Sequence, residues 1–334
     1  SAISAADVSA YPVDNLAPGA PVGLAVVDVP ADQGGALRLT WTANTEGDLK
    51  DYRIRRSTGT GITAATAVQV TIAAPGTTHQ DAGLVNGTTQ YYRLTARDTS
   101  DNESAISASD VSASPQDNLA PAAAGGLSVA DVAADQGGAL RLTWTANTES
   151  DLQDYRIRRS TGTGMTSATA VLVTIAAPGT TAQDAGLVNG TTQYYRLTAR
   201  DVNLNESAIS AADVGAFPVD NLAPGAPGGL GVAVVAAGQQ LTLSWTANTE
   251  SDLKDYGVYR ATNSGVLSSK SVGTRVAAGG TTHQDAGLAN GTTQYYQLTA
   301  RDVSLNESGG SAEVSGTPQD SLAPAAPTGL GVAD

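Results

Sequence analysis

The chain has 334 residues, a formal net charge of −14 at pH 7, a pI of about 4.4 and no cysteine. An acidic surface of this kind excludes nucleic acid and anionic membranes as natural partners, because both require clustered Lys and Arg. Disulfide cross-links are excluded, and no apolar run approaches the roughly 18 residues of a membrane span. We therefore expect no nucleic-acid partner and no membrane insertion in this segment.

Three copies of one segment divide the sequence. TTQYYRLTARD lies at residues 88–98 and 191–201, and TTQYYQLTARD lies at residues 292–302. The tryptophans recur with the same period of about 100 residues, which suits a whole domain better than a solenoid coil. They are Trp41, Trp144 and Trp245.

The repeat pattern also predicts the domain boundaries. Residues 1–21 closely match residues 207–227, so the chain is expected to start late in one repeat and to be a window on a longer array. The expected divisions are a C-terminal tail at 1–14, complete repeats at 15–117, 118–220 and 221–320, and an N-terminal head at 321–334.

A proline-bearing joint opens each repeat. The motif reads DNLAP or DSLAP and begins at Asp14, Asp117, Asp220 and Asp320. Proline fixes its own φ and restrains the residue before it, so these joints are predicted to be short and stiff. They do not have the composition of a Gly/Ser tether.

Hydrophobicity within a repeat alternates with a period of two. Leu37, Leu39 and Trp41 share one face of a predicted strand, and Arg38 and Thr40 share the other. Strands rich in Thr and Tyr, separated by Gly, Asn and Asp, recur without any helical period. This pattern predicts antiparallel β-sandwiches.

Two further strands follow the same rule. Tyr92 should point into the core and Tyr91 outward, where it could pair across the sheet or stack on a sugar ring. In the RIRR run, Arg53 and Arg55 should lie on the solvated face opposite Ile54.

Together these features resemble bacterial fibronectin type III domains. The resemblance rests on the Trp of the second strand, the YRIRRS of the third, L-x-N-G-T before the Tyr-rich strand, and the T-A-x-D-x-x-x-N-E-S run. It implies tandem seven-stranded immunoglobulin-like sandwiches, each with sheets of three and four strands. The sequence departs from the family at one corner position, where a Tyr is usual. Gln90, Gln193 and Gln294 occupy that position.

Catalysis has little support in this sequence. The chain has two histidines, His79 and His283, and the matching position of the middle repeat is Ala182. No nucleophile pattern, phosphate-binding loop or Cys/His metal spacing accompanies them. We therefore expect a non-enzymatic protein.

Oxygen-bearing side chains form the strongest candidate site. Asp201, Asn203 and Asn205 give D-x-N-x-N, which resembles the opening of a calcium loop but lacks the turning glycine of an EF-hand. In the implied fold this loop shares a pole with the joint and with the NTESDL segment. The predicted interdomain calcium ligands are Asp117, Asn118, Glu149, Asp151, Asp201, Asn203 and Asn205, with equivalents Asp14, Glu46, Asp48, Asp98 and Asn102 and Asp220, Glu250, Asp252, Asp302 and Asn306.

The alternative is that these residues are structural. Asp and Asn often close turns through their own backbone, without any ion. The cofactor prediction is therefore either none or structural Ca²⁺. Each complete repeat also carries two N-x-S/T sequons, which we interpret as turn and loop caps rather than glycan sites. Their acceptors are Asn86, Asn102, Asn189, Asn205, Asn290 and Asn306.

Near-identical tandem copies favour a mechanical role over a unique active site. The leading hypothesis is a spacer array of a large secreted or surface-anchored bacterial protein, either an adhesin stalk or an extracellular filament. The alternative is a set of accessory modules in a secreted polysaccharide-degrading enzyme, or multivalent carbohydrate- or protein-binding modules. The expected partners are neighbouring repeats, other copies in a fibre, or surface glycans.

Overall fold

The computed structural model describes residues 12–269, 272–326, 328–329 and 331. Most of the tail expected at residues 1–14, and part of the head expected at 321–334, lie outside the described residues. Seven strands fall within the first repeat. They are β1 (Ala25–Asp28), β2 (Ala36–Thr40), β3 (Leu49–Ser57), β4 (Val68–Ala73), β5 (Thr78–Ala82), β6 (Gln90–Asp98) and β7 (Val111–Ala113).

The next two repeats follow the same plan. The second contains β8 (Ser128–Asp131), β9 (Ala139–Thr143), β10 (Leu152–Ser160), β11 (Val171–Ala176), β12 (Thr181–Ala185), β13 (Gln193–Asp201) and β14 (Val214–Ala216). The third contains β15 (Gly228–Val234), β16 (Gln240–Thr246), β17 (Leu253–Ala261), β18 (Val272–Ala277), β19 (Thr282–Ala286), β20 (Gln294–Asp302) and β21 (Val314–Gly316), with a 3₁₀ turn at Val266–Ser269.

Every repeat pairs a three-stranded sheet with a four-stranded sheet. In the first, the strand orders are β1-β2-β5 and β4-β3-β6-β7, and the same orders recur in the other two. All pairings between these strands are antiparallel. The predicted fold class, tandem β-sandwiches with sheets of three and four strands, is confirmed.

The core lies between the two sheets of each repeat. Leu37 and Leu39 from β2 are fully buried against Ile54 of β3 and Leu94 of β6. Trp41 packs edge-on against a tyrosine of β3 with ring centroids 5.3 Å apart. The alternation read from the sequence therefore places Leu37, Leu39, Ile54 and Leu94 in the core correctly.

The corner position, where Gln replaces Tyr, is weakly bonded. The side-chain amide of Gln90 is buried and donates a long 3.5 Å bond to the carbonyl of Thr88, two residues earlier. Gln294 makes a similar 3.4 Å bond to Thr292. The glutamine thus replaces the expected tether with a bond to its own loop, at the edge of hydrogen-bonding distance.

Candidate functional site

The joint between the first two repeats is hydrogen-bonded toward the repeat that follows it. The side-chain amide of Asn205 donates to the backbone carbonyl of Asp117 over 3.1 Å, and Asn203 donates to the Asp117 carboxylate over 2.7 Å. Both asparagines belong to the loop after β13, at the end of the second sandwich. Asp117 is therefore anchored to the second repeat.

The next residue of the joint is bonded in the opposite direction. Asn118 exchanges two bonds with Asp32: its backbone N–H donates to the Asp32 carbonyl over 3.1 Å, and its side-chain oxygen accepts from the Asp32 N–H over 3.2 Å. Its amide also donates to the carboxylate of Asp28 over 2.8 Å. Adjacent residues thus anchor the joint to both repeats.

The second joint repeats this arrangement. Asn221 exchanges the same pair of bonds with Asp135 and donates to Asp131, while Asn306 donates to the carbonyl of Asp220. At the third joint Ser321 replaces the asparagine, and its backbone N–H donates to Ala236 over 2.9 Å. The serine has no side-chain amide with which to make the additional bonds of the asparagine to the preceding repeat.

Three carboxylates converge beside each of the joints at Asp14, Asp117 and Asp220. Asp117, Asp151 and Asp201 each place a carboxylate oxygen within 4.8 Å of the others. The same trio occurs in the other repeats, as Asp14, Asp48 and Asp98 and as Asp220, Asp252 and Asp302. Asp201 is fully buried, whereas the other two members of its trio are half-exposed. The hard oxygen ligands that Ca²⁺ prefers are therefore gathered in one place.

The deepest carboxylate of the trio also holds its own loop. Asp98 accepts hydrogen bonds from the backbone N–H groups of Ser100 and Asn102 and from the Asn102 side-chain amide, all at 2.9 Å. Burial opposes ionisation, but these three donors outweigh it and lower the pKa of Asp98. The Asp therefore has a structural role whether or not it also binds a cation.

Two of the predicted ligands lie elsewhere. Glu149 turns one oxygen to the backbone N–H of Ala122 over 2.7 Å and lies outside the cluster of three aspartates. Burial opposes ionisation of Glu149, but backbone hydrogen bonds led by Ala122 outweigh it and lower its pKa. Asn118 faces the preceding repeat, as described above. Glu46 and Glu250 repeat the position of Glu149.

A buried charge network was missed by the sequence interpretation. Arg55 was expected on a solvated face but is 2% exposed, so that expectation was wrong. Its guanidinium donates to Thr95, to the Glu103 carboxylate and to the carbonyl of Thr66. The bonds to the Glu103 carboxylate and to two neutral acceptors offset the cost of burying the charge.

The third repeat has no buried charge at the position equivalent to Arg55. Tyr259 replaces the arginine, and its hydroxyl donates to Glu307 over 2.6 Å. In the second repeat Arg158 keeps the charged form and bonds Glu206 over 2.6 Å. The position therefore tolerates either a buried ion pair or a neutral hydrogen bond, which indicates a packing role.

A second network links the two sheets. The Tyr92 hydroxyl donates to Asp81 over 2.8 Å, and Arg56 donates to both oxygens of the same carboxylate. Burial and the neighbouring carboxylate raise the pKa of Tyr92. The sequence placed Tyr92 in the core correctly but gave no indication of its polar partner, because that partner lies on another sheet.

The remaining candidates have structural explanations. His283 lines a cleft of about 100 Å³ with Arg260 and Asp285, and the Asp285 carboxylate already binds Arg260 and Tyr296. Tyr91 is half-buried and lies opposite Ser112 on the neighbouring strand. Its position agrees with the cross-strand interpretation.

The sequon asparagines use their side chains within the protein. Asn86 accepts from the N–H of Gly35 over 2.6 Å and donates to the carbonyl of Gln33. Asn102 donates to Asp98 and to the carbonyl of Asp14. A glycan on either amide nitrogen would have to break these bonds.

No family model matches the chain. It is 30% identical over 318 residues to exoglucanase B and 32% identical over 339 residues to exoglucanase A, both of Cellulomonas fimi. These alignments cover 91% and 93% of this chain but 26% and 34% of the two exoglucanases. Chitinase A1 of Niallia circulans is 32% identical over 207 residues, covering 60% of this chain and 26% of the chitinase.

The chain therefore spans between a quarter and a third of the curated relatives it matches. A solved structure, described as the crystal structure of chicken CNTN1 FN1-FN3 domains, is 15% identical and covers 90% of this chain and 99% of its own. Its TM-score of 0.29 is too low to bear on how the repeats are placed. Among the described residues, no helix is long and apolar enough to cross a membrane.

Proposed function

We propose that the chain is a non-catalytic spacer, an array of sandwiches that holds flanking parts of a longer extracellular protein at a set separation. The observation that carries this proposal is the joint at Asp117 and Asn118. Asp117 is hydrogen-bonded to the repeat that follows the joint, and Asn118 is hydrogen-bonded to the repeat that precedes it. A connection made only to join two domains does not require bonds in both directions.

The energetics of the joint favour a fixed angle. A single hydrogen bond contributes about 0.5–1.5 kcal/mol net, and those to the Asp28 and Asp117 carboxylates fall at the upper end of that range or above it. Pro121 adds a fixed φ immediately afterwards. Several such restraints within five residues oppose the conformational entropy of so short a segment.

The comparisons favour one setting for this spacer. The relatives are named as two exoglucanases and a chitinase, and most of the length of each lies outside the matched region. We therefore place the array beside the catalytic part of a secreted polysaccharide-degrading enzyme, as accessory modules. An adhesin stalk or extracellular filament is the second setting, and near-identical repetition is the feature that supports it.

Small-angle X-ray scattering of the 334-residue chain tests the spacer directly. A nine-residue strand spans about 30 Å, so three repeats end to end give a rod of about 100 Å with a radius of gyration of about 30 Å. A compact particle with the same number of residues would have a radius of gyration of about 20 Å. The compact value would contradict the proposal.

A co-sedimentation experiment separates the spacer from a binding module. The chain is mixed with insoluble cellulose or chitin and the supernatant is assayed after centrifugation. A spacer stays in the supernatant with both polymers. Depletion by either polymer would favour the carbohydrate-binding alternative.

We further propose that Asp117, Asp151 and Asp201 bind a structural Ca²⁺ at the joint. The support is the convergence of three carboxylates, which repel one another in the absence of a cation. Their position beside the bonds of Asn203 and Asn205 would let a cation stiffen the joint. The fit is partial, because Asp201 already accepts three hydrogen bonds.

A further inference from the structure

The outer edge of the second four-stranded sheet differs from its counterparts. The strands β4, β11 and β18 each lie at the edge of their sheet and pair on one side with β3, β10 and β17. Among the described residues no other strand pairs with that outer edge. A row of backbone N–H and C=O groups is therefore available for pairing with another strand.

The sequences of the three edges are related but not equivalent. They read VQVTIA in β4, VLVTIA in β11 and VGTRVA in β18. β18 carries Arg275, which is ion-paired with Asp255 over 2.9 Å. A charge on an edge strand is a common guard against strand addition. β11 has no charged residue and is the most apolar of the three edges.

The apolar side chains of β11 are exposed. Val171, Leu172 and Val173 have 40%, 39% and 36% of their surface accessible to solvent. The register shifts between the partners of Val171 and Val173, so Leu172 is the bulged residue. The corresponding bulges carry Gln69 in β4 and Gly273 in β18. A bulge usually protects an edge, but here it presents a leucine.

We propose that β11 is a self-association edge, where the chain pairs antiparallel with β11 of a second copy. Backbone groups along an edge form a regular hydrogen-bond ladder with an extended strand. The second copy supplies such a strand, rich in β-branched residues and uncharged, so no like charges face each other across the pair. Antiparallel pairing of identical strands also gives a closed two-fold dimer.

The overall charge of the chain limits where such contact can occur. At −14, two copies repel each other over most of their surface. Charge repulsion opposes contact least at an uncharged strand with three exposed aliphatic side chains. Added salt screens the repulsion, so the dimer should strengthen as ionic strength rises.

Analytical ultracentrifugation of the 334-residue chain tests the proposal with a matched pair of variants. Leu172→Lys adds a charge at the bulge of β11, and Gln69→Lys adds the same charge at the equivalent exposed bulge of β4. We expect the unaltered chain and Gln69→Lys to dimerise and Leu172→Lys to stay monomeric. Near-UV circular dichroism of the buried tryptophans verifies that each variant is folded.

Disulfide trapping gives a second, independent readout because the chain has no cysteine. Leu172→Cys should form a covalent dimer under mild oxidation faster than Gln69→Cys at the same concentration. A chain that stays monomeric at concentrations up to about 1 mM would overturn the proposal. So would equal loss of dimer in both lysine variants, or equal cross-linking of both cysteine variants.

Discussion

The hydroxyl of Tyr92 on β6 donates a 2.8 Å hydrogen bond to the carboxylate of Asp81 on β5, across the interior of the first sandwich. β6 belongs to the four-stranded sheet and β5 to the three-stranded sheet. Arg56 completes the contact from β3 and neutralises the carboxylate. The same three-residue link occurs in the other two repeats, so each sandwich has a polar tie between its sheets.

This tie predicts a loss of stability at high pH. Burial and the adjacent carboxylate raise the pKa of Tyr92 above its value in the unfolded chain, about 10. The unfolded state therefore releases the proton first as pH rises. The stabilisation is fully present below pH 10 and decreases above it, by up to about 1.4 kcal/mol per pH unit for each such tyrosine.

Urea unfolding between pH 8 and pH 12 measures this effect. Replacing Tyr92, Tyr195 and Tyr296 by Phe should lower the free energy of unfolding at pH 8 by about 1.5–3 kcal/mol per site. It should also make the free energy of unfolding less dependent on pH above pH 10. Replacing their neighbours Tyr91, Tyr194 and Tyr295 by Phe leaves the bonds to Asp81, Asp184 and Asp285 intact and should retain the dependence. Identical stability–pH profiles for the two triple variants would show that the buried tie does not cause the loss of stability at high pH.

One turn requires glycine for two separate reasons. Gly137 has φ of 79°, and a β-carbon added to it would lie 2.1 Å from the side-chain oxygen of Asn189. Gly186 has φ of 74° but has nothing within 4 Å of such a β-carbon. Gly137→Ala should therefore cost about 2–5 kcal/mol and Gly186→Ala about 1–2 kcal/mol. Calorimetry of the two variants compares them, and equal losses would mean that Asn189 moves freely.

Calcium should stabilise the chain if the aspartate clusters bind it. A site with a dissociation constant of 10⁻⁴–10⁻³ M, typical of extracellular modules, contributes about 1.4–2.7 kcal/mol at 10 mM Ca²⁺. The melting temperature should rise with Ca²⁺ and return with a chelator. Asp151→Asn should reduce the rise, and Glu149→Gln should leave it unchanged because Glu149 faces Ala122. Superimposable melting curves with Ca²⁺ and with chelator would end this proposal.

Much of the fold could be predicted from local pattern. The alternation of Leu37, Leu39 and Trp41 identified a buried strand face, because side-chain direction in a strand depends only on sequence position. The same rule failed for Arg55, which the structure buries. Glu103, Thr95 and the Thr66 carbonyl provide its partners, and they are brought to it only by strand pairing and loop folding.

The candidate site was predictable in part. The spacing of D-x-N-x-N and the position of the joint correctly brought Asp117, Asp151 and Asp201 together. The repeat that Asn118 contacts was not predictable, because its partners Asp32 and Asp28 lie 86 and 90 residues earlier, in the preceding repeat. A pattern within one repeat carries no information about which neighbour a joint residue contacts.

The distance between two spin labels across the first joint tests the central claim most directly. Thr60→Cys and Thr163→Cys place labels at equivalent exposed positions of consecutive repeats, in a chain with no other cysteine. We predict one narrow distance distribution by pulsed electron paramagnetic resonance. It should broaden with Asn118→Ala, which removes the side-chain bonds to Asp28 and Asp32, and stay narrow with the neighbouring change Gln116→Ala. A broad distribution in the chain with Asn118 and Gln116 intact would contradict the claim that the joint holds the repeats at a fixed separation.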